Sequence, residues 1–225
     1  MRTFLLRLVL LLVLVVIGLA GFTVWRNHLI DRISGNESQI AAFLKGLSWR
    51  QGAVTAAGEI DEDADLRGEF AFLGEMMGAV GLRGSDHRID KPMLLSSDVT
   101  AVGQGIYLRQ GYYIRAFLPD ADGLPCVEPD PGDKTHSTRV DAKLSSKHWW
   151  AYAWPVKHGS SGNRCFYVSC EGGLLVTRNE NGRYSGLNHI PAADAATAPG
   201  SPPPPPWGFI IQKPARDGMT WYVVG

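Results

Sequence analysis

The sequence predicts an α+β protein in which an N-terminal membrane helix and an amphipathic helix precede an antiparallel sheet. Three observations predict it. Residues 1–30 are almost entirely apolar, the following residues carry apolar side chains at helical spacing, and the remainder holds short apolar segments separated by turn residues. Helices that come first, with hairpin strands after them, are typical of α+β domains.

Composition limits the classes of function. The 225 residues carry 22 basic and 22 acidic side chains, yet residues 1–30 hold three arginines and no acid. Residues 31–225 therefore carry 19 basic and 22 acidic side chains, a net charge of −3. A protein that neutralises phosphates needs a basic surplus, so we expect no nucleic-acid partner. With 45% hydrophobic and 20% charged residues, the chain is globular.

Residues 1–30 are predicted to be a membrane anchor or a signal segment. No charged residue lies between Leu8 and Val24, and about 20 apolar residues suffice to cross the hydrocarbon layer. Arg2 and Arg7 precede this run, which favours a cytoplasmic N-terminus. We therefore expect membrane contact through residues 4–25 and an extracytoplasmic head, on a single-pass protein of the cytoplasmic membrane.

Two alternatives for the N-terminus remain open. Leu19-Ala20-Gly21 is an acceptable small-residue cleavage site, so a signal peptide cut after Ala20 would release a secreted protein. A buried core helix is the other alternative, but a fully apolar helix needs protein around all its faces. The anchor and the signal peptide both place residues 31–225 outside the cytoplasm.

An amphipathic helix is predicted over residues 37–57. Asn36 can cap its N-terminus with Gln39 as the capping-box partner, whereas Gly35 predicts a break from the membrane helix. Apolar residues follow at the spacing i, i+3, i+4, i+7 and i+14, which forms one stripe: Ile40, Phe43, Leu44, Leu47 and Val54. An acidic loop over 59–65 and a short helix over 70–80 come next.

Hairpins are predicted for the rest of the chain. Ile106–Arg109 and Tyr112–Leu118 flank the turn Gln110-Gly111, and the even-numbered side chains of the second strand share one face. Further strands are predicted at 149–154, 165–170, 174–178, 207–212 and 219–224, the last two forming a final hairpin. Residues 119–134 are predicted to be a polar loop. The Pro-rich insert 191–206 is predicted to be solvated polyproline II.

An apolar helix leads into Asn36–Gln51, and four later segments follow it: 111–115, 152–155, 159–162 and 166–172. The helix resembles the N-terminal helix of type IV pilin-like and pseudopilin-like proteins. The later segments resemble the sheet head of a bacterial envelope-protein family of unknown function. The resemblance implies a pilin-like head and a role in assembly. The chain departs from the pilin pattern because the apolar run precedes Phe22 and Arg26 stands where pilins have Glu, so the prepilin peptidase site is lacking.

A calcium site is one hypothesis for the acidic loop. Asp61, Asp63 and Asp65 alternate and Glu69 follows, and Ca²⁺ prefers six to eight oxygen ligands. An EF-hand is excluded because Leu66 and Phe72 occupy its sixth and twelfth positions. A solvated acidic loop is the alternative.

A ligand or partner face is a second hypothesis. On an alternating strand Trp150, Tyr152 and Trp154 point to one side. If exposed, they could stack on a glycan or bind a protein; if buried, they form the core of a small sheet. Of the two, we favour the core.

The cysteines and the segment His158–Gly162 complete the candidates. An exported protein with Cys126, Cys165 and Cys170 is expected to hold one disulfide, and Cys126 with either partner, or three free thiols, are the alternatives. Because Gly-x-Ser-x-Gly is absent, His158–Gly162 fits a turn better than a hydrolase nucleophile.

The sequence thus predicts a non-enzymatic envelope protein for assembly or scaffolding, with self-assembly or envelope partners. A ligand-binding module for a glycan or Ca²⁺ is the alternative.

Overall fold

The protein has the predicted α+β architecture, a long N-terminal helix followed by an antiparallel sheet. The computed structural model describes residues 2–83, 87–89, 91–94, 97, 99–130, 139–201 and 213–224. Within them the sheet has eight strands, and two short α-helices and one 3₁₀ helix (Glu180–Gly182) lie in the connections. The predicted fold class is confirmed.

Helix α1 (Arg2–Ala57) is a single continuous helix of 56 residues. The predicted break at Gly35 is wrong. A glycine inside a helix costs only about 1 kcal/mol, whereas starting a second helix would require a new nucleus. Asn36, the predicted cap, lies inside α1, and its side-chain amide donates a hydrogen bond to the carbonyl of Ser161 at 2.8 Å.

The C-terminal half of α1 packs against the sheet. The predicted apolar stripe is confirmed, since Ile40, Leu44, Leu47 and Val54 are fully buried. Gln51 is buried on the same side, where its side-chain amide donates to the carbonyl of Ala71 and its oxygen accepts from the Ala71 N–H. This pair fixes the far end of α1 to the chain that follows it.

The strands form one antiparallel sheet. Their bounds are β1 (Thr100–Gly103), β2 (Ile106–Arg109), β3 (Tyr112–Pro119), β4 (Pro125–Val127), β5 (Trp150–Pro155), β6 (Cys165–Ser169), β7 (Leu175–Thr177) and β8 (Trp221–Val223). The order is β1-β2-β3-β5-β6-β7-β8, and β4 also pairs with β3. Strand β2 pairs with the first half of β3 and β4 with its last three residues, so both lie along one edge of β3.

One face of the sheet packs on α1. As predicted, the even-numbered side chains of β3 lie together on this face, beside the alternate residues of β5 and β6. The main members of this helix-side core are Tyr112, Ile114, Ala116, Leu118, Ala151, Ala153, Phe166 and Val168.

The other face carries a second, aromatic core. Trp150, Tyr152 and Trp154 are fully buried here with Tyr167 and Trp221, and we call this cluster the loop-side core. Residues 184–197 cover it: the indole N–H of Trp150 donates to the carbonyl of Ala193, and that of Trp154 to the carbonyl of Gly186. The sheet is therefore buried on both faces.

This cover corrects the prediction of a solvated insert. Ala195 and Ala196 are 1% and 3% exposed, and the Ala196 N–H donates to the hydroxyl of Tyr152. Small side chains let the backbone lie close to the aromatic rings, so composition alone misjudged the segment. The rest of the Pro-rich run, 202–206, and the predicted strand 207–212 lie outside the described residues.

Three elements were not predicted. Strand β1 precedes the first hairpin, and β4 lies within the predicted polar loop. Helix α3 (Ala142–Ser145) is capped by Asp141, whose carboxylate accepts a hydrogen bond from the Leu144 N–H. The predicted helix over 70–80 is reduced to α2 (Leu73–Met76). Strand β8 pairs with β7, far from it in the chain.

Candidate functional site

The N-terminal half of α1 lies outside the packed body. It is long and apolar enough to cross a membrane, with a mean hydropathy of 1.9 in its most apolar window, none of which is buried. Phe22 and Trp25 form an aromatic pair with ring centroids 6.0 Å apart, both rings more than half exposed. Aromatic residues at the end of an apolar run are typical of a membrane–water interface.

The head is attached to α1 just after this segment. A guanidinium nitrogen of Arg32 donates to the hydroxyl of Ser160 at 3.3 Å. The carboxylate of Glu37 accepts from the backbone N–H groups of Asn163 and Arg164 and forms an ion pair with the Arg164 side chain at 3.3 Å. The turn between β5 and β6 is thus fixed to one helical segment by three polar side chains, counting Asn36.

This turn contains the segment His158–Gly162. The Ser161 hydroxyl accepts from the Lys157 N–H and donates to the Lys157 carbonyl, which closes the turn. Any side chain at Gly162 would overlap the Tyr112 hydroxyl, so glycine is required there. The serines hold the turn together and dock it on α1, which accounts for the motif without a nucleophile.

The side of α1 that faces away from the sheet carries exposed side chains. Exposed residues recur there at alternating spacings of four and three, and we call them the outer face: Ser38, Ala42, Lys45, Trp49, Gly52 and Ala56. Trp49 is 75% exposed in the middle of this row, whereas its neighbours are mostly small. Alternating spacings of three and four form the seam along which two helices pack. This face was not predicted, because the apolar stripe that indicates the helix lies on its opposite side.

The acidic loop brings together three of the four residues predicted as calcium ligands. Oxygens of Asp61, Asp63 and Asp65 lie within 4.8 Å of one another at the surface and could be offered to a cation. The same oxygens accept backbone hydrogen bonds within the loop, since both Asp61 and Asp63 accept from the Asp65 N–H. The geometry is that of a turn closed by its own side chains.

Glu69, the fourth predicted ligand, belongs to a different environment. It is 1% exposed, accepts from the Ser145 hydroxyl at 3.0 Å and pairs with Arg83 at 3.6 Å. Its placement in the calcium site is therefore corrected. A buried carboxylate needs a cation and hydrogen bonds, which Arg83 and Ser145 supply.

A buried polar cluster surrounds this pair. Glu75 forms an ion pair with Arg83 at 3.1 Å and accepts from the Phe72 N–H at 2.7 Å. Glu128 accepts from the Gly74 N–H at 2.9 Å and from the Tyr107 hydroxyl at 2.9 Å. The cluster joins the connection after α1 to strands β2 and β4. Its residues lie up to 59 positions apart in the chain, so no sequence spacing predicts it.

Burial perturbs the electrostatics of Glu128 in this cluster. Burial raises its pKa to about 7, although the hydrogen bonds from Gly74 and Tyr107 act in the opposite direction. The nearby carboxylate of Glu75 raises it further. Burial and Glu128 also raise the pKa of Tyr107. The arrangement keeps Tyr107 protonated as a hydrogen-bond donor to Glu128.

The predicted aromatic face is not available to a ligand. Trp150, Tyr152 and Trp154 are each 0% exposed beneath residues 184–197, so they act as core. A glycan could not stack on these rings without removing that cover.

The predicted disulfide is wrong, because all three cysteines are free. Cys126 lies in the helix-side core and Cys165 in the loop-side core, on opposite faces of the sheet. Burial raises the pKa of all three thiols, Cys126, Cys165 and Cys170, which lowers their reactivity.

Among the described residues, the apolar segment of α1, its outer face, the acidic loop and the turns at the ends of the sheet reach solvent. The polar cluster around Glu69 and Glu128 is buried. Comparison of the chain with protein-family models, with curated proteins and with solved structures finds no match.

Proposed function

We propose that this protein is a membrane-anchored, extracytoplasmic, pilin-like protein with a non-enzymatic role in assembly or as a scaffold. Residues 4–25 would lie in the cytoplasmic membrane with the N-terminus inside, and the head would be held outside. The uncovered apolar segment and the two arginines before it support this orientation.

The observation that carries the proposed role is the outer face of α1. Trp49 is 75% exposed on a helix whose opposite side is fully buried against the sheet. Large aromatic residues contribute most to protein interfaces when they enter a fitting surface. Neighbouring small residues, such as Ala42 and Gly52, let a second helix approach closely.

Anchoring supports this role physically. Two copies held in one bilayer have nearly parallel helices, and confinement to the membrane raises their effective concentration. The outer face of one copy can then lie along that of another, with each Trp49 against the small residues of its partner. Assembly would need no change in the head, because the sheet contacts only the opposite side of α1.

Cysteine cross-linking in membranes tests the role. We expect Ala42→Cys on the outer face to give a disulfide-linked dimer under mild oxidation, because Ala42 lies about two helical turns from Trp49 along the seam. Adding Trp49→Ala should lower the dimer yield severalfold, since it removes the largest apolar contact. Trp49→Ala should leave the melting temperature unchanged, since Trp49 is exposed.

Lys147→Cys is the matched control, because Lys147 is equally exposed but lies after α3 in the head. Cys170→Ser in every variant removes the half-buried native thiol. Two results would contradict assembly through the outer face. One is an equal dimer yield from Lys147→Cys and Ala42→Cys, and the other is a dimer yield from Ala42→Cys that Trp49→Ala leaves unchanged.

A further inference from the structure

The two ends of the sheet differ in charge. Helix α1 runs from the apolar segment past the turn 157–164 and ends at the opposite end of the strands, so the turn end is proximal to the anchor. The proximal connections 156–164, 178–186 and 213–220 hold two acidic residues and six basic ones: Lys157, Arg164, Arg178, Arg183, Lys213 and Arg216.

The distal end has the opposite sign. Residues 58–69, 120–130, 139–147 and 170–173 hold twelve acidic residues against four basic ones. The acidic loop and the buried glutamates belong to this end. Within these described connections, basic side chains are therefore concentrated towards the anchor and acidic side chains away from it.

The proximal end lies within reach of a membrane surface. From Val24, where the apolar run ends, to Arg32, which contacts Ser160, the helix rises about 12 Å. Headgroups extend about 5–8 Å beyond the hydrocarbon core. The remaining gap between the headgroups and the proximal end is about the length of one Arg side chain. It is no wider than the Debye length, which is about 8 Å at physiological salt.

Four of the six proximal cations form no ion pair within the part of the chain that the structure describes. Arg164 pairs with Glu37, and Arg216 with Asp194. The other four are exposed: Lys157, Arg178, Arg183 and Lys213. On the helix side of the gap, Arg26 and Arg32 are balanced by Asp31 and Glu37, so the surplus comes from the head.

Two of these cations line one concavity. Arg178 and Arg183 border a hollow of about 420 Å³ beside the start of β8. Asn181 and Thr220 add amide and hydroxyl groups to its wall, and Glu180 is its one acidic residue. Two guanidinium groups and neutral donors that line one hollow suit a phosphate oxygen.

We propose that the proximal end of the head binds the surface of an anionic phospholipid membrane, with Arg178 and Arg183 contacting headgroup phosphates. The inference rests on the membrane anchor of the proposed function. The bilayer is the partner because α1 places this end beside it, and its charge is complementary. Contact would hold the head in one orientation and turn the acidic end outwards.

The test uses the full chain in nanodiscs, with a donor dye on Asn163→Cys in a Cys170→Ser background and an acceptor dye on lipid headgroups. Asn163 is exposed in the proximal turn. We expect more energy transfer in discs that contain phosphatidylglycerol than in phosphatidylcholine alone, and loss of the difference at high salt. Each membrane-facing Arg or Lys changes the equilibrium constant for binding about fivefold, so Arg178→Glu with Arg183→Glu should lower the constant for contact between head and membrane at least about 25-fold.

Lys143→Glu with Lys147→Glu is the matched control, with the same change in charge at exposed sites near the distal end. It should leave the energy transfer unchanged. Equal transfer in the two lipids, or an equal effect of the two double variants, would overturn the inference while leaving the anchor intact. Loss of the chain from the discs in an alkaline wash would overturn the anchor and this inference together.

Discussion

Glu128 shows at the scale of a residue how the fold handles buried charge. The residue is 4% exposed, and its carboxylate accepts hydrogen bonds from the Gly74 N–H and the Tyr107 hydroxyl. Arg83 forms ion pairs with Glu69 and Glu75. One cation, Arg83, therefore forms ion pairs with two glutamates, whereas the third, Glu128, is hydrogen-bonded to neutral donors. A carboxyl group in such a place binds its proton more tightly than in water.

The raised pKa predicts a pH-dependent stability. The pKa of Glu128 is about 7 in the folded protein and near 4.5 when unfolded, so the folded state binds more protons between these values. Its contribution is fully present below pH 4.5 and is lost as the pH rises through 7, by roughly 3 kcal/mol. Glu128→Gln should remove this loss, because the amide oxygen can still accept both hydrogen bonds.

Thermal unfolding in detergent at pH 5 and pH 8, followed by tryptophan fluorescence, checks this prediction. The variant should gain stability over the native protein at pH 8 relative to pH 5. Asp122→Asn, an exposed carboxylate in the turn before β4, is the control and should leave the profile unchanged. A constant difference between Glu128→Gln and the native protein at both pH values would show that the site does not titrate in this range.

Burial was predicted correctly for side chains that repeat at the period of a helix or a strand. The stripe through Ile40 and Leu44 and the alternation of Trp150 with Tyr152 both follow from backbone periodicity, and both are buried as a core requires. Glu69 was misplaced because its partner Arg83 is 14 residues away on an irregular segment, beyond any repeating pattern.

Continuity of α1 is the main feature at the scale of the element. A Cβ added at Gly35 or Gly52 would meet nothing within 4 Å, and neither residue has a positive φ. Each glycine therefore behaves as an ordinary helical position that lacks a side chain. The helix continues through Gly35 because the polar residues after it bind the turn 157–164 instead of capping a new helix.

Gly35→Ala should accordingly stabilise the protein by about 0.5–1 kcal/mol, since alanine loses less backbone entropy in a helix. The midpoint of thermal unfolding measures this. Gly68→Ala is the contrasting variant, because its Cβ would overlap the Thr55 carbonyl, and it should destabilise. If Gly35→Ala lowered the midpoint instead, α1 would be broken at this residue, as the sequence alone suggested.

Strand prediction depended on whether the pairing was local. The hairpin of β2 and β3 was predicted closely because Gln110-Gly111 lies between two alternating segments. Strand β4 has only three residues and forms because the end of β3 offers it a partner. The pairing of β8 with β7 crosses more than 40 residues, so no turn signal could reveal it.

At the scale of the whole molecule, burial on both faces of the sheet leaves few surfaces for function. The helix-side core occupies one face and residues 184–197 cover the other. What remains is arranged along α1: an apolar segment, a basic proximal end, the outer face with Trp49, and an acidic distal end. This order supports a head that is held at a membrane and presented to other molecules.

The most direct test of this account is the location of the intact chain in a bacterium that expresses it with a C-terminal epitope. We predict that the full-length chain stays in the membrane pellet after an alkaline wash, and that protease added to intact spheroplasts removes the epitope. A full-length chain in the soluble cytosolic fraction, or an epitope that is protected until lysis, would contradict the anchored, outward-facing head.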